Sequence, residues 1–204
     1  FTTSMATGSL ALILHAHLPF VRHPEHEDFH EEDWLYEAIA ETYIPLLRML
    51  RQLAAEKVPV RVTFTMTPTL CEMLRDPLLQ VRAERYLARG VELARAEIER
   101  TTGDPALNDL ARFYLRRFSE AHAFYTKELN RDIVGAFAQL QVEGMIEIIT
   151  CAATHGFLPL MDGYPEAQRA QILIGRDSYV ECFGREPAGI WLPECAYVPT
   201  VGRI

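Results

Sequence analysis

The sequence predicts an α/β protein that forms the front portion of a TIM-like barrel and carries a long helical insertion. Short apolar runs of strand length alternate with longer segments of helical periodicity, an order typical of parallel strands with helices outside them. Four such strands are found in 204 residues, whereas a closed barrel usually needs about eight strands and about 250 residues. We therefore expect residues 5–204 to be one partial barrel domain.

Each predicted strand is a short run of apolar or β-branched residues. Residues 10–17 are nearly all apolar, as expected of a strand that is buried on both faces. β-branched residues dominate residues 60–66, a glycine precedes residues 145–151, and residues 188–192 alternate as strand residues do. A proline follows three of the four runs, and proline cannot donate a hydrogen bond to a sheet.

Helical periodicity fills the segments between the strands. Residues 34–56 repeat apolar side chains every three or four positions, and Pro45 among them predicts a kink or the start of a second helix. Residues 76–143 have a helical pattern with one break at a Gly-Asp-Pro sequence, and their length predicts an insertion rather than a single crossover. Another helix is predicted over residues 165–183, with Gly184 as its C-terminal stop.

Composition and charge limit the classes of function. The net charge of −8 and the pI near 5.4 argue against a nucleic acid or an anionic membrane as partner, but a neutral polymer is indifferent to that charge. No signal peptide is expected, because the first apolar run has only five residues and no basic flank. The four cysteines show no CxxC pair or regular spacing, so we predict a cytoplasmic protein; they are Cys71, Cys151, Cys182 and Cys195. The oligomeric state does not follow from these features.

Glu194 is the candidate catalytic residue. Pro193 ends the fourth predicted strand, which places Glu194 at the carboxyl end of that strand, where catalytic side chains gather in α/β folds. Trp191 and Tyr197 flank it. A carboxylate among aromatic rings suits sugar chemistry, because the rings stack on sugar faces and the anion stabilises an oxocarbenium-like transition state. The alternative is an exposed glutamate in a turn after a strand.

Three histidines are predicted at the carboxyl ends of two other strands. His15 and His17 are two residues apart and so point to the same face, and His155 follows the third strand. The pair could bind a metal ion, orient a substrate, or form hydrogen bonds at a strand end. A metal-dependent hydrolase or deacetylase barrel that uses His15 and His17 is therefore an alternative. All three histidines should lie on one rim with Glu194.

Three further features have more than one interpretation. Trp34, at the start of the first long helix, is predicted either to anchor the core or to stack on a sugar. The histidines of residues 22–33 are expected in a solvated acidic loop, and Glu147 is expected in a structural ion pair. Phosphate-binding loops, a GxSxG elbow and an HExxH helix are all absent from the sequence, so nucleophilic serine or cysteine catalysis has little support.

Three segments resemble the first three motif regions of glycoside hydrolase family 57, in the same order and with matching spacing. They are residues 15–20 (HAHLPF), 153–160 (ATHGFLPL) and 189–194 (GIWLPE). The resemblance extends over essentially all residues after Met5. Within the family the chain is most similar to the α-1,4-glucan branching enzymes, on the basis of residues 31–38 (EEDWLYEA) and the segment that begins at Trp191.

The resemblance implies a distorted (β/α)7 barrel and a retaining mechanism on α-1,4-glucans such as amylose and glycogen, with no cofactor and no metal. It implies that Glu194 is the nucleophile and that His15, His17, His155 and Trp191 line the donor subsite. Branching would create α-1,6 linkages in a glycogen-like glucan; 4-α-glucanotransferase and α-amylase are the alternatives within the family. The family's general acid/base is an aspartate in a fourth motif. The chain ends before such a motif, so we expect the 204 residues alone to be inactive.

Overall fold

The centre of the fold is a parallel four-stranded sheet, seen in a computed structural model that describes residue 8 and residues 10–204. The strands are β1 (Ile13–Ala16), β2 (Val62–Met66), β3 (Ile146–Cys151) and β4 (Ile190–Trp191). Each strand pairs in parallel with the next one along the chain, which is the order of a barrel wall. All four predicted strands are confirmed, although each is shorter than its apolar run.

Seven α-helices are found in the described part of the chain. They are α1 (Glu32–Ala38), α2 (Ile44–Ala55), α3 (Pro68–Arg75), α4 (Pro77–Arg100), α5 (Pro105–Ala123), α6 (Ile133–Val142) and α7 (Pro165–Phe183). The segment predicted as an insertion, residues 76–143, contains only helices and turns. None of the helices among the described residues has the length and apolar character needed to cross a bilayer.

Proline and its preceding residue set several helix starts. Asp76 caps α4 by accepting hydrogen bonds from the amides of Leu78 and Leu79, and Asp104 caps α5 in the same way. In each helix a proline occupies the first position, where no N–H is needed. Pro45 acts differently: it follows a π-helical turn, Ile39–Tyr43, after which α2 begins. Of the two predicted outcomes at Pro45, a second helix is observed, since α2 begins at Ile44, but the backbone stays helical from α1 into α2 and the wider turn absorbs the hydrogen bond that proline removes.

The two faces of the sheet have different surroundings. Phe64 and Ile148 face the helices, and the Phe64 ring lies 5.4 Å from that of Phe137 on α6. The opposite face carries His15, Thr63 and Glu147. Thr63 pairs with Glu147 and with Ile13, and His15 lies two residues after Ile13, so its side chain points to the same face. The predicted ion pair of Glu147 is wrong: its carboxylate is exposed and accepts a hydrogen bond from the Thr63 hydroxyl at 3.2 Å.

Helix α7 lies directly against the backbone of β3. A Cβ atom on Gly175 would lie 2.2 Å from the carbonyl oxygen of Cys151, so only glycine permits this approach. The Thr150 hydroxyl donates to the Gly175 carbonyl at 2.8 Å and secures the contact. Gly184 ends the helix with a left-handed backbone (φ 66°), as predicted.

Candidate active site

His15 of β1 and His17, just after β1, point to the face of the sheet that the helices do not cover. His15 lies opposite Thr65 of β2, and His17 follows the last residue of the strand. The His17 ring stacks on the His155 ring with centroids 3.6 Å apart and planes 10° apart. The Nε2 atoms of His15 and His155 are 3.1 Å apart, within hydrogen-bonding distance. The structure therefore brings together the three histidines that the sequence placed on one rim.

His155 is held in an unusual backbone conformation. Its φ of 55° is in the left-handed region, which costs a residue with a side chain about 1–3 kcal/mol and persists only where neighbours enforce it. Gln171 of α7 provides that support. Its Oε1 atom accepts from the amide of Thr154 at 3.0 Å, and its Nε2 atom donates to the Thr154 hydroxyl at 2.8 Å. α7 thus fixes the loop that presents His155.

Glu194 lies in a short 3₁₀ turn, Pro193–Cys195, that follows β4. Its backbone is also left-handed, with φ 55° and ψ 25°, and that of Cys195 is left-handed as well. The side chain of Glu194 is 71% exposed, and its Oε1 atom lies 3.9 Å from Nδ1 of His155. The turn therefore holds the carboxylate beside the imidazoles while leaving it accessible to a ligand.

Trp191, on β4, lies with the three histidines and forms a cluster with them. It pairs with Cys151 in the sheet, and its ring stacks against that of His15 with centroids 5.7 Å apart. Trp34 lies elsewhere, on α1, and no ring contact among the described residues joins it to the histidines. It is 44% exposed, so the interpretation of Trp34 as a core anchor is wrong.

The loop of residues 22–33, which was predicted to be solvated, also packs against neighbouring side chains. His23 and His26 pack against the ring of Phe29, with centroids 3.7 and 4.9 Å away. Arg82 of α4 donates to the carbonyl oxygens of both histidines and to the buried carboxylate of Glu32. The expected solvated loop is therefore anchored to the long helix α4.

Burial keeps the histidine cluster uncharged. Desolvation, followed by repulsion from His155 and His15, lowers the pKa of His17 to about 4. Desolvation also lowers the pKa of His15 and of His155, although the Glu194 carboxylate opposes the shift at both residues. Near neutral pH all three rings are therefore neutral imidazoles, each of which can donate one hydrogen bond and accept another.

The rings of the cluster contact one another directly. His15 and His155 direct their Nε2 atoms at each other, and His17 lies face to face with His155. Across the described residues, no group of three or more His, Cys, Asp or Glu side chains is arranged to hold a metal ion.

Thr67 is a site residue that the sequence analysis missed. It precedes α3, a helix that was also not predicted, and its hydroxyl oxygen accepts a hydrogen bond from the amide of Leu70. The same oxygen lies 3.1 Å from Nδ1 of His17. The Thr-Pro pair that starts α3 is a helix-start signal and could have revealed the helix, but the contact with His17 depends on the fold.

Replacing Thr67 by valine should disturb the tautomer of His17. We expect the Leu70 amide and the Thr69 hydroxyl, 3.2 Å away, both to donate to the Thr67 oxygen, so that the Thr67 proton points at Nδ1 of His17 and the His17 proton is on Nε2. Ring ¹⁵N NMR of the full-length protein should show the Nε2–H form in the wild type and in Thr67→Ser, and a mixture in Thr67→Val. An Nδ1–H form in the wild type would contradict this assignment.

The fold and the site together define a class of protein. A carboxylate and uncharged rings gather at the carboxyl ends of parallel strands in a barrel wall, which is the arrangement of a (β/α)-barrel enzyme. The chain belongs to glycosyl hydrolase family 57, whose family model matches residues 11–204. The resemblance seen in three motifs is confirmed, and the four-stranded sheet with its helices corresponds to the N-terminal part of the family's (β/α)7 barrel.

The proteins to which the chain is similar are named enzymes. The chain is 41% identical over 192 residues to 1,4-alpha-glucan branching enzyme TK1436 of Thermococcus kodakarensis, covering 94% of this chain and 28% of that protein. Among solved structures it is similar to the alpha-amylase AmyC of Thermotoga maritima, with TM-score 0.90 and 42% identity over 95% of this chain and 36% of that one. It is also similar to the GH57-type branching enzyme of Pyrococcus horikoshii, with TM-score 0.87 and 40% identity over 94% of this chain and 36% of that one. The chain thus spans about a third of the length of these relatives.

Proposed function

We propose that the full-length protein is a retaining 1,4-α-glucan branching enzyme and that Glu194 is its nucleophile. The observation that carries this proposal is the position of the exposed Glu194 carboxylate on a turn beside three stacked, uncharged imidazoles. Such a carboxylate can attack the anomeric carbon of an α-1,4-linked glucose unit and form a covalent glycosyl-enzyme. Similarity to named branching enzymes supports the same proposal.

A retaining displacement needs a second carboxyl group about 5 Å from the nucleophile, first as acid and then as base. Two other carboxylates of the chain are engaged elsewhere: Glu147 accepts a hydrogen bond from Thr63, and Asp162 accepts one from Thr200. The family resemblance implies an aspartate from a later motif. We therefore propose that a residue outside residues 8–204 supplies the general acid and base.

We propose that the remaining side chains of the cluster bind sugar. Neutral imidazoles can pair with hydroxyl groups as donor and acceptor at once, which suits His15, His17 and His155. The indole of Trp191 offers an apolar face to a pyranose ring, and the exposed Trp34 on α1 offers a second one further out. This mode of binding requires neither a cofactor nor a metal ion.

The second candidate function is α-amylase activity, favoured by the 42% identity to AmyC. The two reactions share the covalent intermediate and differ in what consumes it. In branching the 6-hydroxyl of a second glucan attacks, and in hydrolysis water does. Surfaces that hold the acceptor chain and exclude water determine this partition.

The test is to incubate the full-length enzyme with amylose, with and without a chelator, and to follow both α-1,6 linkages and reducing ends. A branching enzyme accumulates α-1,6 linkages while reducing ends increase little, and chelation leaves the rate unchanged. An increase in reducing ends alone would identify an amylase. Redistribution of chain length without either product would identify a glucanotransferase, and activity that chelation removes and zinc restores would identify a metallohydrolase.

We also propose that the enzyme works in the cytoplasm on a glycogen-like glucan and that it acts in glycogen biosynthesis. The four cysteines are all free thiols, as a reducing compartment would keep them. A net charge of −8 does not oppose the binding of a neutral polymer.

A further inference from the structure

We propose that Cys71 and Cys182 form a redox-controlled disulfide that joins α3 to α7. These are the two helices that support the histidine cluster. α3 begins at Thr67, whose hydroxyl meets His17, and α7 carries Gln171, which holds the loop of His155. The proposal concerns the thiols and their surroundings, so it is independent of which glucan the enzyme acts on.

The two thiols are neighbours although they are far apart in sequence. Cys71 is buried in the main core, Cys182 packs against that core from α7, and the two thiols are close enough to shift each other's pKa. Cys182 is only partly buried, so a small oxidant in solvent can reach it first. Arg75, one turn after Cys71 on α3, lies with Nη1 3.4 Å from the Cys182 sulfur and 3.0 Å from the Glu181 carboxylate.

The surroundings give the two thiols different roles. A hydrogen bond from Cys71 lowers the pKa of Cys182, burial opposes this shift, and the positive charge of Arg75 lowers the pKa further. The same hydrogen bond and complete burial raise the pKa of Cys71 well above its usual value, and the nearby Glu72 carboxylate adds to the rise. Cys182 is partly exposed and lies beside the Arg75 guanidinium, so it is the thiol that reacts first, and the buried Cys71 is the partner that resolves it.

Hydrogen peroxide is the class of oxidant that this arrangement fits. The Cys182 thiolate attacks one peroxide oxygen; an S–O bond forms, the O–O bond breaks, and the departing hydroxide takes a proton to become water. The Cys71 sulfur then attacks the sulfur of the Cys182 sulfenic acid. The S–S bond forms, the S–O bond breaks, and the departing oxygen leaves as water with the Cys71 proton. Two thiols lose two electrons, and one peroxide becomes two waters.

The disulfide would restrain the helices on which the site depends. It would close a loop on the order of 100 residues long, a length for which a cross-link strongly restricts the unfolded chain. Oxidation should therefore raise the melting temperature by about 5 °C or more, and a dithiol reductant should reverse the rise.

The experiment treats the full-length protein with one equivalent of hydrogen peroxide and maps the peptides by mass spectrometry without reduction. We expect a cross-linked pair of peptides containing Cys71 and Cys182, two hydrogens lighter than their sum and separable by dithiothreitol. In Cys71→Ser the reaction should stop at a Cys182 sulfenic acid, which dimedone traps. Cys195→Ser removes the exposed thiol beside Glu194. Only the yield of the cross-link is measured in this variant, and that yield should not change.

Arg75→Gln provides a second readout that does not require the disulfide. Loss of the guanidinium should slow alkylation of Cys182 by iodoacetamide near neutral pH several-fold, because the positive charge that favours the thiolate is gone and the pKa of Cys182 rises. Three results would overturn the proposal. They are oxidation of Cys182 to sulfinic acid without a cross-link, a cross-link that needs Cys195, and alkylation of Cys182 no faster than that of Cys195.

Discussion

Replacing Glu194 by glutamine in the full-length protein should abolish nearly all turnover on α-1,4-glucans and leave the fold intact. An amide cannot form the glycosyl-enzyme, and removal of a nucleophile lowers turnover by about 10⁴-fold or more. The fold should tolerate the change because the side chain is 71% exposed and the neutral ring of His155 lies 3.9 Å from its carboxylate, so no buried ion pair is broken. Initial rates with amylose measure the effect, and circular dichroism checks the fold.

Glu143→Gln is the matched control for Glu194→Gln. Glu143 is an exposed carboxylate at the end of α6 whose hydrogen bond within the described residues comes from Gln139, one turn earlier in the helix, so its loss should leave turnover unchanged. A fluorinated glycosyl donor that traps the intermediate should label the peptide containing Glu194 in the wild type. Labelling of another carboxylate, or more than a few per cent of wild-type turnover in Glu194→Gln, would remove Glu194 from the role of nucleophile.

Arg82→Met should lower the free energy of unfolding by about 3–5 kcal/mol, the largest stability effect that we expect from a single substitution. Arg82 lies 2.7 Å from both carboxylate oxygens of Glu32, and the two residues are 8% and 1% exposed. Methionine would leave the buried Glu32 without its countercharge and would release the loop carbonyls of His23 and His26. Urea denaturation measures the loss.

Arg85→Met is the matched control on the same helix. Arg85 pairs with Asp28, but all the side chains of that pair are exposed, so its loss should lower stability by less than about 1 kcal/mol. Glu32→Gln combined with Arg82→Met should be less destabilised than Arg82→Met alone, because the double variant buries no unpaired charge. Equal losses for Arg82→Met and Arg85→Met would contradict the interpretation of a buried pair.

The pH dependence gives a further check on this pair. Burial alone would raise the pKa of Glu32, but hydrogen bonds from the Tyr36 hydroxyl, the His23 amide and Arg82 outweigh burial and lower it. A carboxyl group whose pKa is lower in the folded state stabilises the fold above its unfolded pKa, about 4.3. That contribution is lost as the pH falls through the folded pKa. In Arg82→Met the pKa should rise instead, so acid should protect the variant relative to neutral pH.

The sequence could predict the strands and the residues at their ends, because apolar runs and the residues that stop them are local signals. The same signals identified Gly184 as a helix stop and placed Glu194 after β4. The left-handed backbone of Glu194 has no such signal, and that of His155 has only a weak one, since histidine is enriched in this conformation but still adopts it rarely; distant contacts impose it at both residues. The proximity of Cys71 to Cys182 likewise results from helix packing, and the spacing of the cysteines in the sequence does not predict it.

The chain order of the sheet has a consequence for synthesis on the ribosome. Each strand pairs with the strand made immediately before it, and the helices that cover Phe64 and Ile148 also come from these residues. A growing chain can therefore add β2, β3 and β4 in turn to an edge that already exists, without waiting for a distant partner. The helices leave uncovered the face that carries His15 and Glu147. Assembly from the N-terminus can thus bury most of the apolar surface early while the more polar face stays open to water.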